Sequence, residues 1–228
     1  MKKTILLAAT ALLCASCFHV NKNFKGEASV VKGEGPAIIH SFDFRDFDRI
    51  EINGQGNVTF QQAETFSVSL CTQENILDYL SYRVEGRTLI LESERHHTIR
   101  TDTYAVTVTA PVLTAITVNG AGNLDFPAGL RQEEDLKIEV NGAGDLSLSA
   151  VECGALSILV NGAGDIQADG LAVGDLRIEV NGAGDVTVSG KADNATLTVN
   201  GAGDIDARNL EVSGNLKSRA AILGKIKH

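Results

Sequence analysis

At 228 residues the chain is long enough for one sizeable domain or two small ones. Aromatics at 5%, no Trp and 23 Gly argue against one bulky globular centre and for many thin layers. A formal net charge of −9 speaks against nucleic acid and anionic headgroups as partners.

The first twenty residues read as an export signal. Lys2 and Lys3 precede the apolar run Ile5–Leu13, and Ala15-Ser16-Cys17 follows. This pattern predicts a bacterial lipobox: residues 1–16 form a signal peptide, and Cys17 becomes the lipid-bearing first residue of the mature protein. Acyl chains contribute about 0.8 kcal/mol per buried methylene, so a multiply acylated Cys17 would hold the protein to a membrane. No later segment approaches the ~20 apolar residues of a transmembrane helix. Without residues 1–16, 29 acids face 18 bases, a balance of −11. Residues 17–38, polar and Gly-containing, are expected to be the lipidated Cys and a flexible tether. No Asp follows Cys17 and no acidic run follows Phe18, which favours the outer membrane and its periplasmic face.

A β domain is expected over 39–228, in three parts. Residues 39–111 form a less regular first part. Its opening strand, Arg49-Ile-Glu-Ile, leads into Asn53-Gly-Gln-Gly-Asn57. Period-two alternation recurs at Phe66–Cys71, Tyr82–Val84, Thr88–Glu92 and Tyr104–Thr109. Glu85-Gly86-Arg87 marks a hairpin turn, and Asn75–Leu80 could make one helical turn. Asn53 stands 66 residues before Asn119, compatible with early coils whose corners have lost the motif. His96-His97, with Arg95, Arg100 and Asp102, reads as a solvated loop.

Residues 112–207 carry regular repeats. Val-Asn-Gly-Ala-Gly-Asp stands at Val140–Asp145, Val160–Asp165, Val180–Asp185 and Val199–Asp204, with a near copy at Val118–Asn123. Apolar residues alternate with polar ones on either side, as in Leu136, Ile138 and Val140. A period of about twenty predicts an all-β solenoid, a parallel β-helix in which each strand pairs with its counterpart one coil along. The paired glycines predict either positive φ or a corner too tight for a β-carbon. Asn119, Asn141, Asn161, Asn181 and Asn200 are expected to stack as a structural amide ladder.

Asp145, Asp165, Asp185 and Asp204 stack likewise. Equivalent residues of adjacent coils lie about 4.8 Å apart, where two carboxylates repel by roughly 0.9 kcal/mol even at water's dielectric. Backbone amides, a shared proton or a bound cation could offset this, and an Asx-turn is the commoner use of such an Asp. A calcium-like cation held by these four is the metal reading; no other cofactor is expected. Residues 208–228 should cap the stack, with Lys225 neutralising the end of the Asp row. Cys71 and Cys153 sit in unlike contexts, which argues against their pairing.

The chain resembles the putative auto-transporter adhesin head GIN domain family. The resemblance rests on Phe47–Val58, Val84-Glu-Gly-Arg-Thr-Leu-Ile-Leu91, Val106-Thr-Val-Thr-Ala-Pro111 and the Gly-x-Gly-Asp corners. It implies an exported protein of two-membrane bacteria and a single-stranded right-handed β-helix, and it carries over no catalytic residue. The expected function is that of a non-catalytic cell-envelope lipoprotein. It would be membrane-bound through Cys17, with a binding, adhesion or scaffold role towards protein or glycan. The alternatives are a glycan-active β-helix enzyme and a divalent-cation-binding structural protein.

Overall fold

The computed structural model describes residues 29–94, 96–221 and 223–228. The expected signal peptide (1–16) and Cys17 lie outside them. The chain is all-β and mostly parallel, and three ladders of strands enclose one apolar core.

The first ladder runs Leu80–Glu85, Thr88–Ser93, Arg49–Asn53, Ala115–Val118, Leu136–Val140, then residues 155–160, 176–180 and 195–199, and ends on Leu216–Ala220. Only its first pairing is antiparallel. The second begins with two antiparallel pairings, Ala37–Phe42 to Ser67–Gln73 to Ala105–Ala110. It continues in parallel through Gln55–Gln62, Ala121–Phe126, Leu146–Ser149, residues 166–168 and 186–187, and Asp204–Val212, to Lys225–Lys227. A shorter third ladder runs from Leu130–Arg131 to residues 209–212.

Alternation explains the core. Ile116, Ile138, Ile158, Ile178 and Leu197 stand in register on successive strands, each fully buried, and Val118, Val140, Val160, Val180 and Val199 form the next row. Burying such a side chain contributes about 1.5–3 kcal/mol, and each row repeats the gain coil after coil. The intervening Lys137, Glu139, Arg177 and Glu179 face water or lie half-buried.

The first part departs from the expected succession of early coils. Strands Thr88–Ser93 and Ala105–Ala110 lie on one side of Arg49–Asn53 and Gln55–Gln62, and Ala115–Val118 and Ala121–Phe126 on the other. The coil at 49–62 is therefore sandwiched between later pieces of chain, and residues 63–110 are an excursion, not three degenerate coils. Its hairpin turns at Gly86 (φ 60°), and its helical turn is a 3-10 helix at Glu74–Tyr79. Asp48, almost buried, ties the excursion back through Arg87 Nε at 2.9 Å. Ser29–Lys32, inside the stretch read as a tether, pairs in parallel with His97–Arg100. Among the described residues no helix is long and apolar enough to cross a membrane.

Candidate functional site

The hexapeptide corner joins the first ladder to the second. Its glycines have ordinary φ in every full copy; the positive-φ glycines lie elsewhere, including Gly54 and Gly56 of the degenerate copy. Crowding is what requires them. A β-carbon on Gly142 would overlap the carbonyl oxygen of Gly120, and one on Gly144 that of Gly122. Those carbonyls come close because each corner hydrogen-bonds to the previous one, as in Ala143 N to Gly120 O (2.9 Å) and Ala163 N to Gly142 O (2.9 Å).

The Asn side chains form one continuous row. Asn119 donates to Asn53 Oδ1 (2.8 Å), Asn141 to Asn119 (3.0 Å), Asn161 to Asn141 (2.9 Å), Asn181 to Asn161 (3.0 Å) and Asn200 to Asn181 (2.9 Å). Glu51 and Glu139 take further amide hydrogens from the row. Most of its polar capacity is spent within the protein.

The Asp row spends one oxygen each. Asp145, Asp165 and Asp185 accept through Oδ1 the main-chain N–H of the next Asp, at 2.9, 2.8 and 2.7 Å. Asn123 does the same for Asp145, and Asp204 accepts from Lys225 N at 2.9 Å. The partner is the next coil, not the residue two places along as in an Asx-turn. An amide dipole facing each carboxylate offsets part of the stacked charge. Lys225 continues the row through its main chain. Among the described residues no three of His, Cys, Asp or Glu are grouped so as to hold a metal.

Two open grooves flank these rows. One of about 690 Å³ lies between the row of Asn57, Asn123, Asp145, Asp165 and Asp185 and a parallel row two residues on, Asp125, Ser147, Gln167 and Thr187. Beyond its end Asp206 is held down to about 2 by hydrogen bonds from Arg208, with Lys227 adding to the effect. The other groove, about 470 Å³, begins where the Asn row begins and is lined by Asn53, Gln55, Asn119, Ser93, Glu94 and His97. Here the expectation of a solvated His96-His97 loop needs correcting. His96 is exposed, but His97 opens a strand, packs its ring at a tilt against Tyr79 (centroids 4.7 Å apart) and lies 3.0 Å from Glu94 Oε2, in poor alignment for a hydrogen bond. The contact depends on the excursion, which local sequence does not reveal.

A second corner ladder escaped the sequence reading. Asp135 Oδ1 accepts from Ala155 N, Asn194 donates to Asp175, and Asn215 N donates to Asn194. Its residue types change from coil to coil, so no repeated motif announces it. Cys71 and Cys153 are free thiols, and burial pushes Cys153 up to about 11.

Residues 46–227 match the family described as putative auto-transporter adhesin, head GIN domain, and the chain belongs to it. A structure from Bacteroides fragilis NCTC 9343, described as a putative adhesin, is similar with a TM-score of 0.71 at 21% identity, covering 86% of this chain and 99% of that one. One from Parabacteroides distasonis ATCC 8503, described as a putative lipid binding protein, gives 0.75 at 19%, covering 87% and 96%. A putative adhesin from Parabacteroides merdae ATCC 43184 gives 0.51 at 18%, covering 87% and 98%. At such identities the likeness shows a shared fold. A comparison with curated proteins finds no match.

Proposed function

We propose that this member of the family is a non-catalytic cell-envelope protein that binds a protein or glycan partner along the side of its stack. The fold is read as a single-stranded right-handed β-helix, with residues 39–111 as its irregular start, 112–207 as its regular body and 208–228 as its cap. Cys17 carries the lipid that anchors it to the outer membrane, facing the periplasm. The adhesin descriptions of the family and of two of the similar structures support a binding role.

The observation that carries the reading is the 690 Å³ groove. Ser147, Gln167 and Thr187 stand there as a row of exposed donors and acceptors beside a row of half-used carboxylates. Strand spacing repeats these groups every ~4.8 Å, which suits an elongated partner met at many weak points. The experiment is retention of the chain on immobilised envelope glycan and protein fractions. A Ser147→Ala/Gln167→Ala/Thr187→Ala variant should lose retention while keeping its melting temperature, and unchanged retention would remove the groove from the proposal. Cys17→Ser should release the protein from membranes, and protease added to intact cells should leave the wild type uncut.

A further inference from the structure

We propose that strand Ala37–Phe42 pairs, edge to edge and antiparallel, with the same strand of a second copy of this chain. Four strands end the two long ladders, each with one paired neighbour among the described residues: Leu80–Glu85, Leu216–Ala220, Ala37–Phe42 and Lys225–Lys227. An end strand presents unpaired N–H and C=O groups, and proteins usually blunt such edges with charge. Three of the four follow that rule. Arg83 and Glu85 stand on the first, Lys217 and Arg219 on the second, Lys225 and Lys227 on the last.

Ala37-Ile-Ile-His-Ser-Phe42 does not follow it. It holds no Asp, Glu, Lys, Arg or Pro. Ile39 is 73% exposed and Ile38 41%, and as neighbours on a strand they point to opposite faces, so the edge is apolar above and below. At this end the ladder is already antiparallel, through Ser67–Gln73.

A second copy is the occupant that this chemistry fits. A two-fold axis brings identical strands together antiparallel, so a strand whose charges all share one sign meets that same sign. Lys217 or Lys225 would then repel their copies across such a junction, and like charges opposite one another destabilise strand pairs. Ala37–Phe42 carries no such charge and escapes that penalty, and its isoleucines gain cover. On the remaining edge Arg83 and Glu85, opposite in sign, are already paired within the chain, with each other and, for Arg83, with Glu92. A six-residue edge is small beside the ~1,200 Å² of a standard interface, so the association is of the weak, micromolar kind. Both copies carry the same net negative charge, so added salt strengthens the pair.

The test is sedimentation of the full chain in a density-matched non-ionic detergent, up to about 100 μM, with Ile39→Lys and, as a control at another exposed apolar residue, Leu216→Lys. The expected result is a concentration-dependent dimer that tightens with salt. Ile39→Lys should weaken it at least about tenfold, Leu216→Lys should leave it intact, and both should keep the wild-type melting temperature. A wild type that stays monomeric, a dimer that Ile39→Lys leaves unchanged, or one that Leu216→Lys weakens equally would overturn the proposal.

Discussion

Asn119 donates its side-chain amide to Asn53 Oδ1 at 2.8 Å, across 66 residues of chain. The contact makes the degenerate corner at Asn53 the first rung of the row that the regular repeats continue. It also closes the excursion at 63–110, because both strands that lead into these corners pair in register, Ile50 with Ile116 and Ile52 with Val118. Rung, register and core row thus agree where the excursion rejoins the stack.

Interior rungs should matter more than the last. Asn161 donates to Asn141 and accepts from Asn181, at 2.9 and 3.0 Å, whereas Asn200 ends the row with one short bond to Asn181 (2.9 Å) and a long, weak one to Glu179 (3.4 Å). Asn161→Ala is expected to cost about 1–3 kcal/mol, from two bonds worth roughly 0.5–1.5 each, and Asn200→Ala about half as much. Urea unfolding of the two variants measures the ratio. Equal costs would show that the rungs are not coupled as a row.

The corner glycines are expected to be intolerant of one added methyl group. In Gly162→Ala the new β-carbon meets the Gly142 carbonyl, and neither backbone can retreat without breaking Ala163 N to Gly142 O. Overpacking of this kind costs about 1–3 kcal/mol or more. Ala163→Ser, at the exposed tip of the same corner, should stay within about 0.5 kcal/mol of wild type. Thermal melts compare the two directly.

For the Asp row, the acceptor matters and the charge does not. Asn123 already serves Asp145 N with a neutral side-chain oxygen at 3.0 Å. Asp165→Asn is therefore expected to be neutral or slightly stabilising, more so at low ionic strength, while Asp165→Ala loses the bond to Asp185 N. Calcium at about 1 mM should move the melting temperature by less than about 1 °C, because sites of useful affinity need six or more oxygens. A calcium-dependent rise abolished by Asp165→Asn would contradict this.

Burial raises the phenol pKa values of Tyr82 and Tyr104, whose hydroxyls lie 2.9 Å apart. The folded state then binds these protons more tightly than the unfolded chain. The contribution is complete below the usual value of 10.0 and is lost as pH rises above it. Urea midpoints should fall between about pH 10 and 11, and Tyr82→Phe should flatten that fall. An unchanged slope in the variant would remove the pair as its source.

The regular body was readable because alternation, glycines and period all repeat: Leu136/Ile138/Val140 predicts Leu156/Ile158/Val160, and the structure pairs them one to one. The Asn row followed from the same register. The inserted pairing of Thr88–Ser93 and Ala105–Ala110 beneath the first coil was not readable. An antiparallel detour and a lost repeat both leave short alternating strands and a spacing near a multiple of 22. The use of each Asp was hidden for a similar reason. Gly-Asp at a turn fits a local Asx bond as well as one to the next coil, and only stacking geometry separates them. His97 lies against Tyr79 through tertiary packing alone.

The central claim is that the repeated corner is one hydrogen-bonded architecture which spans the excursion, so that Asn53 and Asn119 act as a pair. A double-mutant cycle of Asn53→Ala and Asn119→Ala, read by urea unfolding, tests it most directly. The account predicts a coupling of about 0.5–1.5 kcal/mol between residues so distant in sequence. Strictly additive effects would contradict it.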